Sequence, residues 1–185
     1  ALRAILGREL GCDPRALAFE EGVHGKPHLA GAQRGALHFN VAHSGERGLI
    51  AVARAAPVGV DVEQMRPLEE IAQLAERVLG AAEHARWLAL DAPRRHLEFY
   101  RQWTLKEAIL KACGAGITQT LADIGAERGP LEAPELLRDE RGAPRRWSVF
   151  QMAAAPGYCA ALATQDPGRP ILAARTWSGS SSLSP

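Results

Sequence analysis

Residues 103–112 of the chain read Trp103-Thr104-Leu105-Lys106-Glu107-Ala108-Ile109-Leu110-Lys111-Ala112. This segment continues an apolar stripe with the three- and four-residue spacing of a helix. The pattern begins near Asp91-Ala92-Pro93, where a capping side chain precedes a proline at the first helical position. It stops at Gly114-Ala115-Gly116. The sequence therefore predicts one long helix between these two ends.

Two charged side chains of this helix lie one turn apart. Glu107 and Lys111 leave the helix on the same side. One interpretation is an exposed ion pair that stabilises the helix by about 0.2–0.5 kcal/mol. The other is that both belong to a site completed by residues from elsewhere in the chain.

A strongly alternating strand upstream supplies candidates for that site. In Val58-Gly59-Val60-Asp61-Val62-Glu63 the valines point to one face, and Asp61 and Glu63 point to the other. Taken alone, the acidic face is typical of a solvated strand. If Glu107 joins it, each pair of carboxylates repels by about 4 kcal/mol at about 4 Å and an effective dielectric near 20. A magnesium ion held by Asp61, Glu63 and Glu107 would remove that repulsion and polarise a phosphoryl group.

Other cations could complete an anion-binding site. Lys111 could reach a phosphate oxygen, Lys26 lies in the predicted turn Gly25-Lys26-Pro27 with a free ammonium, and His43 is expected in a loop. Two surface lysines and a turn histidine bonded to backbone are the alternatives. Ser44 lacks the glycine two residues earlier that a hydrolase nucleophile elbow needs, so a serine hydrolase is excluded.

The remaining patterns predict an α+β fold of two related lobes. Residues 36–41, 49–53, 147–150, 158–163 and 171–174 are strand candidates, and residues 68–90 are helical with a break near Gly80. Residues 48–60 are echoed weakly by residues 157–173, so each lobe is expected to be a helix on a small antiparallel sheet. We predict an N-terminal lobe at residues 1–66, a C-terminal lobe at 67–175, a flexible tail at 176–185, and a site between the lobes.

Composition limits the possible partners. Hydrophobic residues make up 46% and charged residues 23% of 185, which is enough for a packed core. The formal net charge of +1 gives no reason to expect nucleic acid or an anionic membrane as a partner. Three scattered cysteines predict free thiols in a reducing compartment. No apolar run approaches the ~20 residues of a membrane span, so a soluble cytoplasmic protein is expected.

Four segments taken together carry a resemblance to a known family: residues 25–27, 39–45, 58–63 and 103–111. This set resembles the 4'-phosphopantetheinyl transferases, specifically the larger, monomeric Sfp-type branch. The resemblance implies transfer of the phosphopantetheine arm of coenzyme A to a serine of an acyl or peptidyl carrier protein, with release of 3',5'-ADP. It also implies magnesium as the cofactor and a monomeric enzyme.

Site residues follow from the resemblance position by position. Asp61, Glu63 and Glu107 correspond to the magnesium ligands. Glu107, directly or through water, corresponds to the base for the carrier serine, and Lys111 to the cation that meets the attacked phosphate. The implied coenzyme A contacts are Gly25, Lys26, Pro27, His43, Ser44 and Lys111.

The chain departs from the family pattern at two places. Ala42 stands where the family usually has serine, and the family's first strand and basic arm have no counterpart before Ala1. A shortened chain or weaker binding of coenzyme A is expected from the second departure. Two other functions stay open: a non-catalytic module that binds coenzyme A or carrier domains, and a magnesium-dependent nucleotide pyrophosphatase.

Overall fold

A computed structural model describes residues 1–114, 121–124, 137–138, 144–145, 147–165 and 175. It has the predicted mixture of helices and small antiparallel sheets. The helices are α1 Leu2–Leu10, α2 Ile71–Val78, α3 Ala81–Leu88 and α4 Ala92–Cys113. The strands are β1 Phe19–Glu21, β2 Pro27–Leu29, β3 His38–Ser44, β4 Arg47–Ala53, β5 Val58–Gln64, β6 Leu137–Arg138, β7 Pro144–Arg145, β8 Ser148–Met152 and β9 Tyr158–Thr164.

The long helix α4 has the ends that the sequence predicts. The Asp91 carboxylate accepts a hydrogen bond from the Arg94 amide at 3.0 Å, which caps the first turn. Gly114 ends the helix in the left-handed conformation, with φ at 67°. Residues 68–90 form two helices that meet at Gly80, as predicted. The ends of α4 and the break at Gly80 were predictable because they depend on local sequence signals.

The principal sheet is antiparallel with the order β5-β9-β8. In its register Asp61 faces Ala161 and Glu63 faces Cys159. The β3–β4 hairpin lies beside β5, where the buried Asn40 side chain accepts a hydrogen bond from the Val60 amide at 2.9 Å. The sheet thus joins strands from both sides of the predicted boundary at residue 66. That boundary stays a prediction.

Helix α4 lies directly on β5 and β9. A Cβ atom on Gly59 would lie 2.1 Å from the Ala108 carbonyl oxygen and 2.4 Å from the Ala112 amide nitrogen. Only a residue without a side chain fits such an approach. On its other face, β5 packs its three valines against Ala42, Ala51 and Ala160. Strand β5 is therefore buried on both sides, with its acidic face toward α4.

One local prediction was wrong, and one hairpin was not predicted. The glycine- and proline-rich residues 16–35 contain the short hairpin β1–β2, to which the sequence patterns gave no strand. His43 was expected in a loop, but β3 continues to Ser44 and His43 pairs with Gly48. The cause is the tightness of the next turn: Gly45, with φ at 55°, and Glu46 suffice to reverse the chain. His43 and Ser44 consequently join the ladder.

Further predictions concerned the cysteines, membrane-spanning segments and the end of the chain. Cys12, Cys113 and Cys159 are not joined in disulfides, as expected. Among the helices that the structure describes, none has both the length and the apolar character needed to cross a bilayer. The strand predicted at residues 171–174 and the tail at 176–185 lie outside the described residues.

A buried ion pair fixes the α2–α3 corner to α4. Lys106 is fully buried, and its ammonium donates to the Glu83 carboxylate at 2.5 Å and to the Val78 carbonyl at 2.8 Å. The same Glu83 oxygen accepts from the Gly80 amide at 2.8 Å. Burial lowers the pKa of Lys106, and Glu83 counteracts that effect. This pair orients the helix that carries Glu107 and Lys111.

Substitution Gly59→Ala should lower the free energy of unfolding by about 3 kcal/mol, because the new methyl group collides with the α4 backbone. Urea denaturation measures the change. Gly48→Ala is the matched control in a neighbouring strand, since its nearest neighbour would be the Ala42 carbonyl oxygen at 3.7 Å. Equal stability of the two variants would contradict the close approach.

Substitution Lys106→Met should cost about 3–5 kcal/mol of unfolding free energy, because it leaves the buried Glu83 without its ammonium partner. The double variant Glu83→Gln/Lys106→Met should recover part of this loss, since the amide oxygen can still accept from Gly80. A double variant less stable than Lys106→Met, in the same denaturation assay, would argue against a buried charge as the cause.

Candidate active site

Where α4 crosses β5, a lysine side chain contacts a buried aspartate. The Lys111 ammonium donates to Asp61 Oδ1 at 2.5 Å. The Asp61 side chain is only 3% exposed, whereas the Lys111 side chain is 32% exposed. Asp61 Oδ2 is buried and has no hydrogen-bond partner. Asp61 therefore has one oxygen bound to lysine and one oxygen able to accept a further ligand.

The three acids that the sequence singled out affect one another electrostatically. Burial raises the pKa of Asp61 to about 6, Lys111 opposes the rise, and the Glu63 and Glu107 carboxylates add to it. Burial also raises the pKa of Glu107, Lys111 again opposes it, and Glu63 adds to it. The structure thus brings the strand acids and the helix acid to one region. Among the described residues, however, no group of three His, Cys, Asp or Glu side chains is arranged to hold a metal ion.

Ser44 fixes the position of Glu63. Its hydroxyl donates to Glu63 Oε2 at 2.7 Å and accepts from the Gln64 amide at 3.0 Å. The contact exists because the β3–β4 hairpin places the end of β3 against the end of β5. The neighbouring His43 side chain is exposed at the same strand end. Its expected contact with coenzyme A stays a prediction, as does that of Ser44.

Lys26 is engaged with backbone rather than free. Its ammonium donates to the carbonyl oxygens of Val58 and Ala112, each at 3.1 Å. Burial lowers its pKa from 10.5 to about 8. The side chain therefore ties the turn before β2 to the start of β5 and the end of α4. The expectation of a free ammonium in this turn is not met, because both carbonyls lie within reach of it.

Sequence reasoning did not assign a role to two residues that shape the site. Asn40 bonds β5 through the Val60 amide, and the Tyr158 hydroxyl accepts from the Glu46 amide at 3.4 Å beside the β3–β4 turn. A polar residue inside an apolar strand was the available signal for Asn40. Nothing in the sequence near Tyr158 indicates that its partner is more than a hundred residues away.

Comparison with known proteins shows the family of the chain. A family model described as the 4'-phosphopantetheinyl transferase superfamily matches residues 57–163. The Synechocystis protein slr0495 is 41% identical over 67% of this chain and 50% of its own length. The 4'-phosphopantetheinyl transferase HetI of Nostoc is 35% identical over 88% of this chain and 66% of its own length. The chain belongs to the 4'-phosphopantetheinyl transferase superfamily.

Two more proteins extend the comparison. The 4'-phosphopantetheinyl transferase Sfp of Bacillus subtilis is 29% identical over 65% of this chain and 51% of its own length. A crystal structure of Thermotoga maritima holo-[acyl-carrier-protein] synthase aligns with a TM-score of 0.40 and 23% identity, covering 58% of this chain and 61% of that one. The chain spans half to two thirds of the length of the curated relatives named here.

The free energy of unfolding should depend on pH through Lys26. Because its folded-state pKa is lowered to about 8 from 10.5, the unfolded state binds more protons between these values, and stability rises with pH across that window. The stability difference between wild type and Lys26→Met, from urea denaturation, should therefore shift in favour of wild type from below pH 8 to near pH 10.5. Arg34→Met is the control, since an exposed guanidinium stays charged throughout. If the stability difference between wild type and Lys26→Met did not change with pH across this window, burial of the Lys26 ammonium would be contradicted.

Proposed function

We propose that this chain transfers the 4'-phosphopantetheine arm of coenzyme A to a serine of an acyl or peptidyl carrier protein and releases 3',5'-ADP. The observation that carries the proposal is the Lys111–Asp61 contact, made where α4 crosses β5 with Glu107 one turn away. Membership of the superfamily and the name of HetI support the same reaction. A cytoplasmic monomer is the corresponding expectation for the protein's state.

Magnesium fits the donor chemistry of this site. Asp61 Oδ2 is a buried carboxylate oxygen without a partner, and such an atom is costly unless a cation or donor meets it. The Glu63 carboxylate also adds to the raised pKa values of Asp61 and Glu107, as a nearby like charge does when no counter-charge is shared. Asp61, Glu63 and Glu107 would hold the ion. When bound, magnesium would neutralise charge on the diphosphate of coenzyme A.

The chain's own residues suit the remaining steps. A serine hydroxyl attacks only when its proton has an acceptor, and a glutamate whose pKa is raised toward neutrality is a better acceptor than an exposed one. Glu107 takes this role in the proposal. Lys111, partly exposed, would move onto the attacked phosphate and stabilise the charge that forms on its oxygens. Ser44 holds Glu63 in place through its hydroxyl.

The residues proposed to contact coenzyme A lie at the end of β3 and in the turn before β2. His43 is exposed at the end of β3, beside Ser44, and is available to an anionic ligand. Gly25 adopts a left-handed φ of 77°, so the turn it forms with Lys26 and Pro27 has a defined shape. For Lys26 to meet a phosphate, its ammonium must leave two carbonyl oxygens. We therefore assign this turn chiefly to shaping the nucleotide site.

Incubation with coenzyme A, magnesium and an apo carrier protein tests the function, with intact mass as the readout. Wild type should add one phosphopantetheine to the carrier. Glu107→Gln should slow transfer by about a hundredfold or more, because it removes the proton acceptor. Glu98→Gln is the matched control, since Glu98 lies on the same helix and lines a cavity between α3 and α4. It should transfer at the wild-type rate.

The other outcomes identify other functions. Binding of coenzyme A or carrier protein without mass gain would indicate a non-catalytic module. Release of 3',5'-ADP from coenzyme A without a carrier protein would indicate a pyrophosphatase. Equal rates for Glu107→Gln and Glu98→Gln would remove Glu107 from the chemistry.

A further inference from the structure

A lysine ammonium occupies the carboxylate that the proposed function assigns to magnesium. Lys111 Nζ lies 2.5 Å from Asp61 Oδ1, a side chain with only 3% exposure. With Lys111 bound to Asp61, no three His, Cys, Asp or Glu side chains of the described residues are arranged around a common metal position. The positive charge next to Asp61 is thus supplied by the protein itself.

An ammonium and a divalent cation on the same carboxylate repel each other strongly in a poorly solvated site, even when each contacts a different oxygen. We propose that Lys111 is an internal counter-ion, which occupies Asp61 in the metal-free protein and leaves it when magnesium binds. The inference rests on the proposed function, because that function supplies the magnesium ligands. It adds that metal binding includes the breaking of an ion pair.

Lys111 has the freedom that such a movement requires. Its side chain is 32% exposed, lies in the last turn of α4 and has a flexible four-carbon stem. Lys106, five residues earlier, lacks this freedom because it is fully buried between Glu83 and the Val78 carbonyl. The phosphate of a bound ligand gives Lys111 an alternative partner. Phosphate ligand and magnesium should therefore assist each other's binding.

Calorimetric titration with magnesium alone tests the counter-ion. Lys111→Met should bind magnesium about tenfold more tightly than wild type, equivalent to ~1.4 kcal/mol, because no ion pair has to break. Lys111→Arg keeps a cation at the site and should bind with wild-type affinity. Arg101→Met is the matched control for net charge: Arg101 is an exposed cation of the same helix, lining the α3–α4 cavity, and its loss should leave the affinity unchanged.

The results separate the counter-ion from the proposed function. If wild type and a folded Lys111→Met bound magnesium with equal affinity, the counter-ion alone would be overturned. The same would follow if Arg101→Met gained as much magnesium affinity as Lys111→Met. Failure of wild type to label the carrier, together with tight magnesium binding by Lys111→Met, would support the counter-ion and overturn the transferase. No magnesium binding by any variant would overturn the counter-ion and the metal ligands together.

A second measurement follows the Lys111 side chain of the wild-type protein directly. The chain contains three lysines, Lys26, Lys106 and Lys111, so protein labelled with ¹³C at the lysine ε-carbon gives three signals. Magnesium should shift the Lys111 signal saturably, and Lys106 should stay in place as the internal reference. Lys111→Arg assigns the signal. A Lys111 signal unmoved at saturating magnesium would overturn the proposal even if Lys111→Met failed to fold.

Discussion

The direct packing of α4 on β5 at Gly59 is the constraint on which the rest of the structure depends. The missing side chain lets the helix backbone at Ala108 and Ala112 come within contact distance of the strand. Residues 107 and 111 flank these positions on the helix, and residues 61 and 63 follow Gly59 on the strand. The separation of these charged groups is therefore set by backbone packing. A wider approach would leave Asp61 beyond the reach of Lys111.

That packing explains why the pKa of Asp61 is raised. The crossing removes water from Asp61, which raises the pKa of its carboxyl group to about 6 despite the adjacent ammonium. An isolated carboxylate would be too costly at this position, so a cation must be near it. Lys111 fills this need in the structure. The same reasoning supports the proposed magnesium site, because the acidic groups outnumber the charge that one lysine neutralises.

Local signals made much of the fold predictable. Asp91, Pro93 and Gly114 define the ends of α4 through capping and backbone geometry, which depend on near neighbours only. The strict alternation in β5 correctly indicated that Asp61 and Glu63 share a face. The β1–β2 hairpin was missed because three-residue strands are too short to show a period. His43 was placed in a loop because the turn's minimal length cannot be read from composition.

The sequence singled out acids and a lysine that the structure brings to one region, but it gave no indication of their contacts. Spacing on α4 selects Glu107 and Lys111 without indicating that Lys111 meets Asp61, a partner fifty residues away. The same spacing gives no sign that Lys106 is fully buried while Lys111 is partly exposed. Lys26 was judged free because its turn is polar, yet two backbone carbonyls hold it. These differences depend on what packs against each lysine, which is a tertiary property.

The register of the principal sheet accounts for the position of the site. Across the β5–β9 ladder, Asp61 faces Ala161 and Glu63 faces Cys159, and neither residue supplies a positive charge. The small side chains of β9 instead allow α4 to lie across both strands, in a core with Ala108 and Ile109. The positive charge that balances these acids must then come from the helix or from a bound ion. The alanine-rich β9 thus makes α4 the source of the protein's own counter-charge, which is why the proposed active site lies where the helix crosses the acidic strand.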